Sequence, residues 1–388
     1  MWSSQHYLDQ GKQLQHSNAV LLEAVKQSRR LVQHRPQPLP VILTLFHLAK
    51  RTEVPYSTLH AYVGRQAIEP YRRFRIRKRS GGIRRICVAE PRLGSIQAWI
   101  AENILQRAEV HAASHAFKKG DRISRCAEVH AGARWLVKMD IADFFGSISE
   151  IDVFRVFKSL GYNPLVSFEL ARICTDLPAK SAKYLLPSWQ LHHARRRIPG
   201  YSQKYVGRLP QGAASSPMLA NLSMIRTDQT LTEIANSFGL KYTRYSDDLT
   251  FSTVGDFDKA SAYALIEQVA NVLKRRNLFP NRAKTAVVHP GARRVVLGLL
   301  VDGDVPRLTR AFRDRLRQHL YYLEKLGIAA HVQARAFESA GGLYRHLRGL
   351  IDYANSVDAA YAAPLLARLE ALPWRSEPKI RTEILISK

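Results

Sequence analysis

Apolar and polar positions alternate with a two-residue period in three stretches of the chain, and helical periods fill most of the rest. Phe74 and Ile76, then Ile83 and Ile86, predict two strands turning at Ser80-Gly81-Gly82. Trp135, Val137 and Met139 alternate with Leu136, Lys138 and Asp140, a buried strand expected to end at Asp140. Tyr242, Thr243 and Tyr245, followed by Leu249 and Phe251 alternating with Thr250 and Ser252, predict a hairpin with Ser246 and Asp247 at its turn.

Among the helices, residues 18–32 form one, broken by Pro36, Pro38 and Pro40 as a short stiff linker. Val41 to Val63 reads as two short helices joined around Val54-Pro55. Ser147 to Glu150 carries capping-box signals for a helix beginning near Ser149. Ser216 as N-cap and Pro217 as first residue predict a long helix from Met218 to about Ala235. Thr309 to Gly327 is amphipathic, with Phe312, Leu316, Leu320, Leu323 and Leu326 on one side and Gly327 as C-cap. Two more helices are expected within residues 343–372.

Composition adds a class and a partner. A chain of 388 residues, 46% apolar, can bury a substantial core over two or three subdomains. Its net charge of +27 calls for a polyanion, RNA or DNA first and an anionic membrane second. No apolar run approaches the ~20 residues of a membrane span, and Met1 to His6 lacks the apolar core of a signal peptide. Cys87, Cys126 and Cys174 have no metal-ligand spacing and read as reduced thiols, so a cytoplasmic location and no membrane partner are expected. His192-His193 beside Arg195-Arg196-Arg197 reads as a basic loop.

The candidate chemistry lies at the strand ends. Asp247-Asp248 is a pair of adjacent anions, tolerable in a solvated turn or useful where divalent cations neutralise it. Asp140, followed by Phe144-Phe145, forms a pocket floor with a steric wall. Arg77, Lys78, Arg84 and Arg85 project from both arms of the basic hairpin, suited to a triphosphate or a nucleic-acid backbone. Within the loop Arg208 to Pro217, Gln211-Gly212-Ala213-Ala214 lacks bulky side chains, so a base pair or sugar can approach its backbone. Residues 48–59 read either as a helix-turn-helix that contacts DNA or as a helical cap.

Taken in order, these motifs resemble those of a reverse transcriptase over about Val41 to Ala371: a basic fingers hairpin at 77–84, motif A at Asp140–Phe145, motif B at Leu209–Pro217 and motif C at Tyr245-Ser246-Asp247-Asp248. Asn281 to Thr285 resembles motif D, and Leu297-Gly298-Leu299 motif E, the primer grip. The resemblance implies an α+β right-hand fold with fingers, a ferredoxin-like palm on an antiparallel sheet and a helical thumb. Its expected divisions are a helical N-terminal extension at 1–65, fingers at 66–135, palm at 136–305 with inserted fingers at about 150–205, thumb at 306–375 and a tail at 376–388. It also implies that Asp140, Asp247 and Asp248 hold two Mg²⁺ ions, and that Arg77, Lys78 and Arg84 neutralise the dNTP triphosphate. Phe145 would exclude a 2′-hydroxyl, Gln211 position nucleotide and template, and Lys284 protonate pyrophosphate. Leu297, Gly298, Arg313, Arg317, Arg345 and Arg348 would contact nucleic acid.

Tyr-Ser-Asp-Asp-Leu-Thr-Phe-Ser, Leu-Pro-Gln-Gly and Ser-Pro-Met-Leu-Ala-Asn are similar to the retron type, as is His115 to Gly120. Cys126-Ala127-Glu128-Val129-His130 and Val296-Leu297-Gly298 depart from its usual patterns. That type implies copying part of a structured noncoding RNA, primed from a guanosine 2′-hydroxyl, into RNA-linked DNA for antiphage defence with a separate effector protein. The alternatives are a group II intron-like or other standalone reverse transcriptase and, from another class, a non-catalytic nucleic-acid-binding regulator. The chain is expected to lack room for an RNase H or endonuclease domain.

Overall fold

The computed structural model describes residues 9, 12–13, 17–32, 36–65, 69–77, 81, 83–177 and 206–374. Lys78, most of the Ser80–Gly82 turn, the basic loop at 192–197, the later part of the inserted segment and the tail lie outside the described residues.

Helix α1 (Asn18–Val32) leads into α2 (Leu45–Thr52) and α3 (Tyr56–Val63), the pair expected around Val54-Pro55. Thr44 caps α2 by accepting from the His47 N–H, and Glu53 ends it in the left-handed conformation. Leu45, Leu48, Leu59 and Val63 join the main core, so the pair packs as a cap. Strands β1 (Tyr71–Arg77) and β2 (Ile83–Ala89) pair antiparallel, Tyr71 with Ala89 and Arg77 with Ile83. Ile76 and Ile83 are 48% and 57% exposed, so this ribbon stands clear of the core. A bare two-stranded hairpin is marginal in water. Its base is steadied by α4 (Pro91–Asn103) and by the Cys87 N–H, which donates to the Gln211 carbonyl at 2.8 Å.

After α5 (Ile123–Glu128) comes β3 (Trp135–Ala142), then short α6 (Phe144–Ser147), α7 (Glu150–Ser159) and α8 (Pro164–Cys174). Strand β3 runs two residues past Asp140, because Ile141 and Ala142 still find partners; the expectation that it ends at Asp140 is corrected. The capping box on α7 is real but uses Ser149 with Asp152. Glu150 is instead buried, accepting from Arg65 Nη2 at 2.9 Å and the Gly207 N–H at 3.1 Å.

Helices α9 (Ser216–Ser223) and α10 (Ile225–Ser237) replace the single helix expected from Met218. Ser216 is already inside α9, where its hydroxyl donates to the Pro210 carbonyl, and Ser215 occupies the N-cap position. The hairpin β4 (Lys241–Tyr245) and β5 (Asp248–Thr253) follows, then α11 (Lys259–Arg275), β6 (Phe279–Pro280) and β7 (Ala286–Val288). These complete a five-stranded antiparallel sheet ordered β4-β5-β3-β6, with β7 also on β3. Strands β8 (Val295–Val296), β9 (Leu299–Leu300) and β10 (Arg307–Leu308) form a second sheet.

Helices α12 (Arg310–Ala334), α13 (Ala340–Asn355) and α14 (Ala359–Glu370) close the described chain. Gly327 breaks α12 with φ 82° as expected of a cap, but helix resumes at once, and Leu326 is 53% exposed rather than inward.

Two apolar clusters flank β3. Val137, Met139 and Ile141 face the main core with Leu249, Phe251 and the inner sides of α10 and α11. Leu136, on the other face, joins Val296, Leu316, Leu320, Leu343 and Leu347 in the cluster of the C-terminal helices. The molecule is thus α+β, built on antiparallel sheets with a helical C-terminal unit. No helix among the described residues is long and apolar enough to cross a membrane.

Candidate active site

Register brings the separated carboxylates together. Asp140 on β3 lies directly opposite Asp248 on β5, and Tyr245 opposite Asp248 closes the β4–β5 hairpin over Ser246 and Asp247. Directly opposed residues project to the same side of a sheet, here the side of Leu136 and Lys138. Positive φ at Ser246 (60°) but not at Asp247 is the pattern of a type II′ turn, where glycine is usual. The Asp247 carbonyl accepts from the Ile141 N–H at 2.9 Å, so turn and central strand are tied.

The carboxylates share one field. Burial, then Asp247 and Asp140, raise the pKa of Asp248 above the ordinary carboxylate value, with Lys138 and Lys284 opposing. Asp140 is 4% exposed, and its Oδ2 accepts from Lys284 Nζ at 2.5 Å. That hydrogen bond is the largest cause raising the Lys284 pKa; burial opposes it, and the charges of Asp140, Asp247 and Asp248 add to it. Among the described residues no three His, Cys, Asp or Glu side chains stand as a ready ligand cluster. The backbone assembles the three aspartates, while Lys284 holds the Asp140 carboxylate. Carboxylate oxygens are the hard donors that Mg²⁺ takes, so the residue types suit such an ion.

The other expected residues differ in exposure and in the partners they hold. Phe145 is half-buried, 5.7 Å from the Phe144 ring and 6.1 Å from Phe117. Gln211 is partly exposed, and its carbonyl is the one bound to Cys87 of the hairpin. Arg77 and Arg84 are exposed on the hairpin arms. Leu297 and Gly298 both have positive φ, making the tight turn between β8 and β9. Arg317 and Arg345 are exposed. Arg313 pairs with Asp358 at 3.1 Å beneath Tyr361, and Arg348 pairs with Asp352 and Glu370 at 3.0 Å each, so both already have internal partners. His130 lies on the same face of the sheet as Asp248, between Ser252 Oγ and Thr243 Oγ1 at 2.7 Å each, with burial first among the causes pushing its pKa down to about 3.

Sequence reasoning passed over Arg244 and Asp228, a fully buried ion pair at 2.7 Å behind the hairpin. A signal existed. Arg244 shares the inward parity of Tyr242 in β4, and an arginine placed inside requires a carboxylate partner.

Comparison with known proteins matches residues 76–313 to the family described as reverse transcriptase (RNA-dependent DNA polymerase). The chain is 28% identical to the retron Ec86 reverse transcriptase of Escherichia coli, over 86% of this chain and 91% of that one. It is 30% identical to the retron Mx65 reverse transcriptase of Myxococcus xanthus, over 85% of this chain and 72% of that one. Among solved structures, it is similar to a Candida albicans telomerase (12% identity, TM-score 0.40, 84% of this chain and 66% of that one). A Candida tropicalis telomerase gives 11% identity and TM-score 0.42, over 77% of this chain and 58% of that one.

Proposed function

This chain belongs to the retron-type reverse transcriptases and is an RNA-directed DNA polymerase, and on that premise we propose that Asp140, Asp247 and Asp248 carry its chemistry. The opposition of Asp140 and Asp248 across β3 and β5, with Asp247 in the adjoining turn, is the observation that supports this reading. A divalent cation is general to the family, and we assign the site to Mg²⁺ on its carboxylate oxygens. A bound pair of Mg²⁺ ions would lower the pKa of the primer 3′-hydroxyl and offset charge on the departing pyrophosphate.

The chain's own residues do the rest. An ion on the Asp140 carboxylate would compete with Lys284 for it, and a displaced Lys284 presents an ammonium group, 54% exposed, at the same face. A lysine outside that contact is still protonated at neutral pH, so it can donate a proton to pyrophosphate. Phe145, backed by Phe144 and Phe117, forms the wall that excludes a ribose 2′-hydroxyl. Arg77 and Arg84 meet the triphosphate, while the Gln211 loop lies under the nascent base pair. Leu297 and Gly298 turn toward the primer, and Arg313, Arg317, Arg345 and Arg348 face the duplex, Arg313 and Arg348 by exchanging their internal partners.

The template is part of a structured noncoding RNA, primed from a guanosine 2′-hydroxyl to give RNA-linked DNA, and the system serves antiphage defence in the cytoplasm with a separate effector. Purified protein with Mg²⁺ and dNTPs extends a primed RNA, and Asp247→Asn abolishes extension while RNA binding persists. Unchanged extension in that variant refutes the carboxylate assignment. Sequencing the copurified nucleic acid yields one short RNA joined to DNA; a heterogeneous mixture of cellular RNAs would refute the retron template.

A further inference from the structure

We infer that Arg244, held by Asp228 and Asn221, is a positioning residue that fixes the turn carrying Asp247; this rests on the carboxylate assignment above. The guanidinium is completely buried, and all five of its N–H groups are used. Nε and Nη2 grip the two Asp228 oxygens at 2.8 and 2.7 Å, and Nη2 also donates to Ser114 Oγ at 3.1 Å. Nη1 donates to Asn221 Oδ1 at 3.0 Å and to the Ser246 carbonyl at 3.1 Å. That last bond reaches the peptide immediately before Asp247.

Ser246 needs such a restraint. A side-chain-bearing residue at φ 60° is in a sparsely populated conformation that persists only where its surroundings over-determine it. Arg244 holds the Ser246 carbonyl from one side, and Ile141 holds the Asp247 carbonyl from the other. Asp247 is thus suspended between two fixed peptides. Asn221 and Asp228 belong to α9 and α10, the helices that follow the Gln211 loop. The arrangement therefore references the carboxylate turn to the same helices that carry the loop under the nucleotide.

A lysine cannot reproduce this. It would keep a cation against Asp228, but it lacks the planar fork that reaches Asp228, Asn221 and Ser246 together. Arg244→Lys should fold with a lowered melting temperature, because buried acceptors lose their donor, while extension by the folded protein falls by about 100-fold, the order expected for a misplacement of about 1 Å at the chemistry. The Mg²⁺ concentration for half-maximal rate should rise severalfold, with primer–template affinity unchanged. A purely structural ion pair would move melting and leave the Mg²⁺ requirement alone.

The second variant is Arg244→Met with Asp228→Leu, since replacing a buried ion pair by apolar side chains often preserves stability. It should fold and show the same shift in Mg²⁺ requirement. Wild-type extension and Mg²⁺ dependence in folded Arg244→Lys overturns the inference, as does the same result in the double variant. If the double variant does not fold, Arg244→Lys decides alone. If Arg244→Lys does not fold, the folded double variant decides, and loss of folding in both assigns the pair to stability and overturns the positioning role. Asp247→Asn run alongside separates the two claims: extension surviving there fails the carboxylate assignment, whereas its loss beside fully active Arg244 variants fails only the positioning role.

Discussion

At Asp248, burial and two neighbouring carboxylates make ionisation unfavourable. Its pKa is higher folded than unfolded, so the folded protein binds that proton more tightly. The resulting stabilisation is full below about pH 4 and is lost as pH rises through the raised value. At neutral pH the ionised group costs stability. Asp248→Asn should therefore raise the melting temperature at pH 7 by about 1–3 °C, lose that gain near pH 4, and depress extension; differential scanning fluorimetry at both pH values, beside a primer-extension assay, checks this. Gly212 makes a steric counterpart. It has φ 122°, and an added Cβ would lie 2.9 Å from the Cys87 carbonyl oxygen. Because that neighbour is backbone, Gly212→Ala must push the loop off the hairpin, costing about 1–3 kcal/mol and reducing extension at least tenfold in a dNTP titration.

Elements were legible where one period dominated. The β4–β5 hairpin, α1, the α2–α3 pair and the thumb-like helices all follow from local patterning. Three features needed tertiary information. Strand β3 outlasts its alternation because β6 pairs with Ile141 and Ala142, the break between α9 and α10 at Met224 has no Gly or Pro to announce it, and Leu326 precedes a Gly327 that redirects the chain. The candidate site was legible as three acidic residues, yet the Lys284 clasp on Asp140 and the Arg244 network depend on which side chains meet. Helix α12 gives an element-scale prediction. His319 and His331, 2.9 Å apart across the Gly327 break, are buried together. Burial first lowers both pKa values; His331, Arg335, His346 and Arg315 further lower His319, to about 4, and Arg335 further lowers His331. The unfolded chain takes up these protons more readily, so the stabilisation is full above about pH 6.5 and is lost as pH falls toward 4. Melting should drop over that window, and His319→Gln should flatten the drop, as followed by circular dichroism.

Over the whole molecule, a charge of +27 makes salt the governing variable for RNA affinity. If about six phosphates are neutralised, binding should weaken by roughly 10³-fold between 50 and 200 mM salt, with the same slope for Asp247→Asn in filter-binding or anisotropy measurements. A regulator that only binds nucleic acid would share that salt dependence; membership of the polymerase family, not charge, sets the two apart. Strand β3 adds a constraint on dissecting the protein. One face of it belongs to the main core and the other, through Leu136, to the cluster of the C-terminal helices. A fragment truncated before residue 310 would leave that second face wet and greasy, and so would be recovered as insoluble material rather than as a slower enzyme.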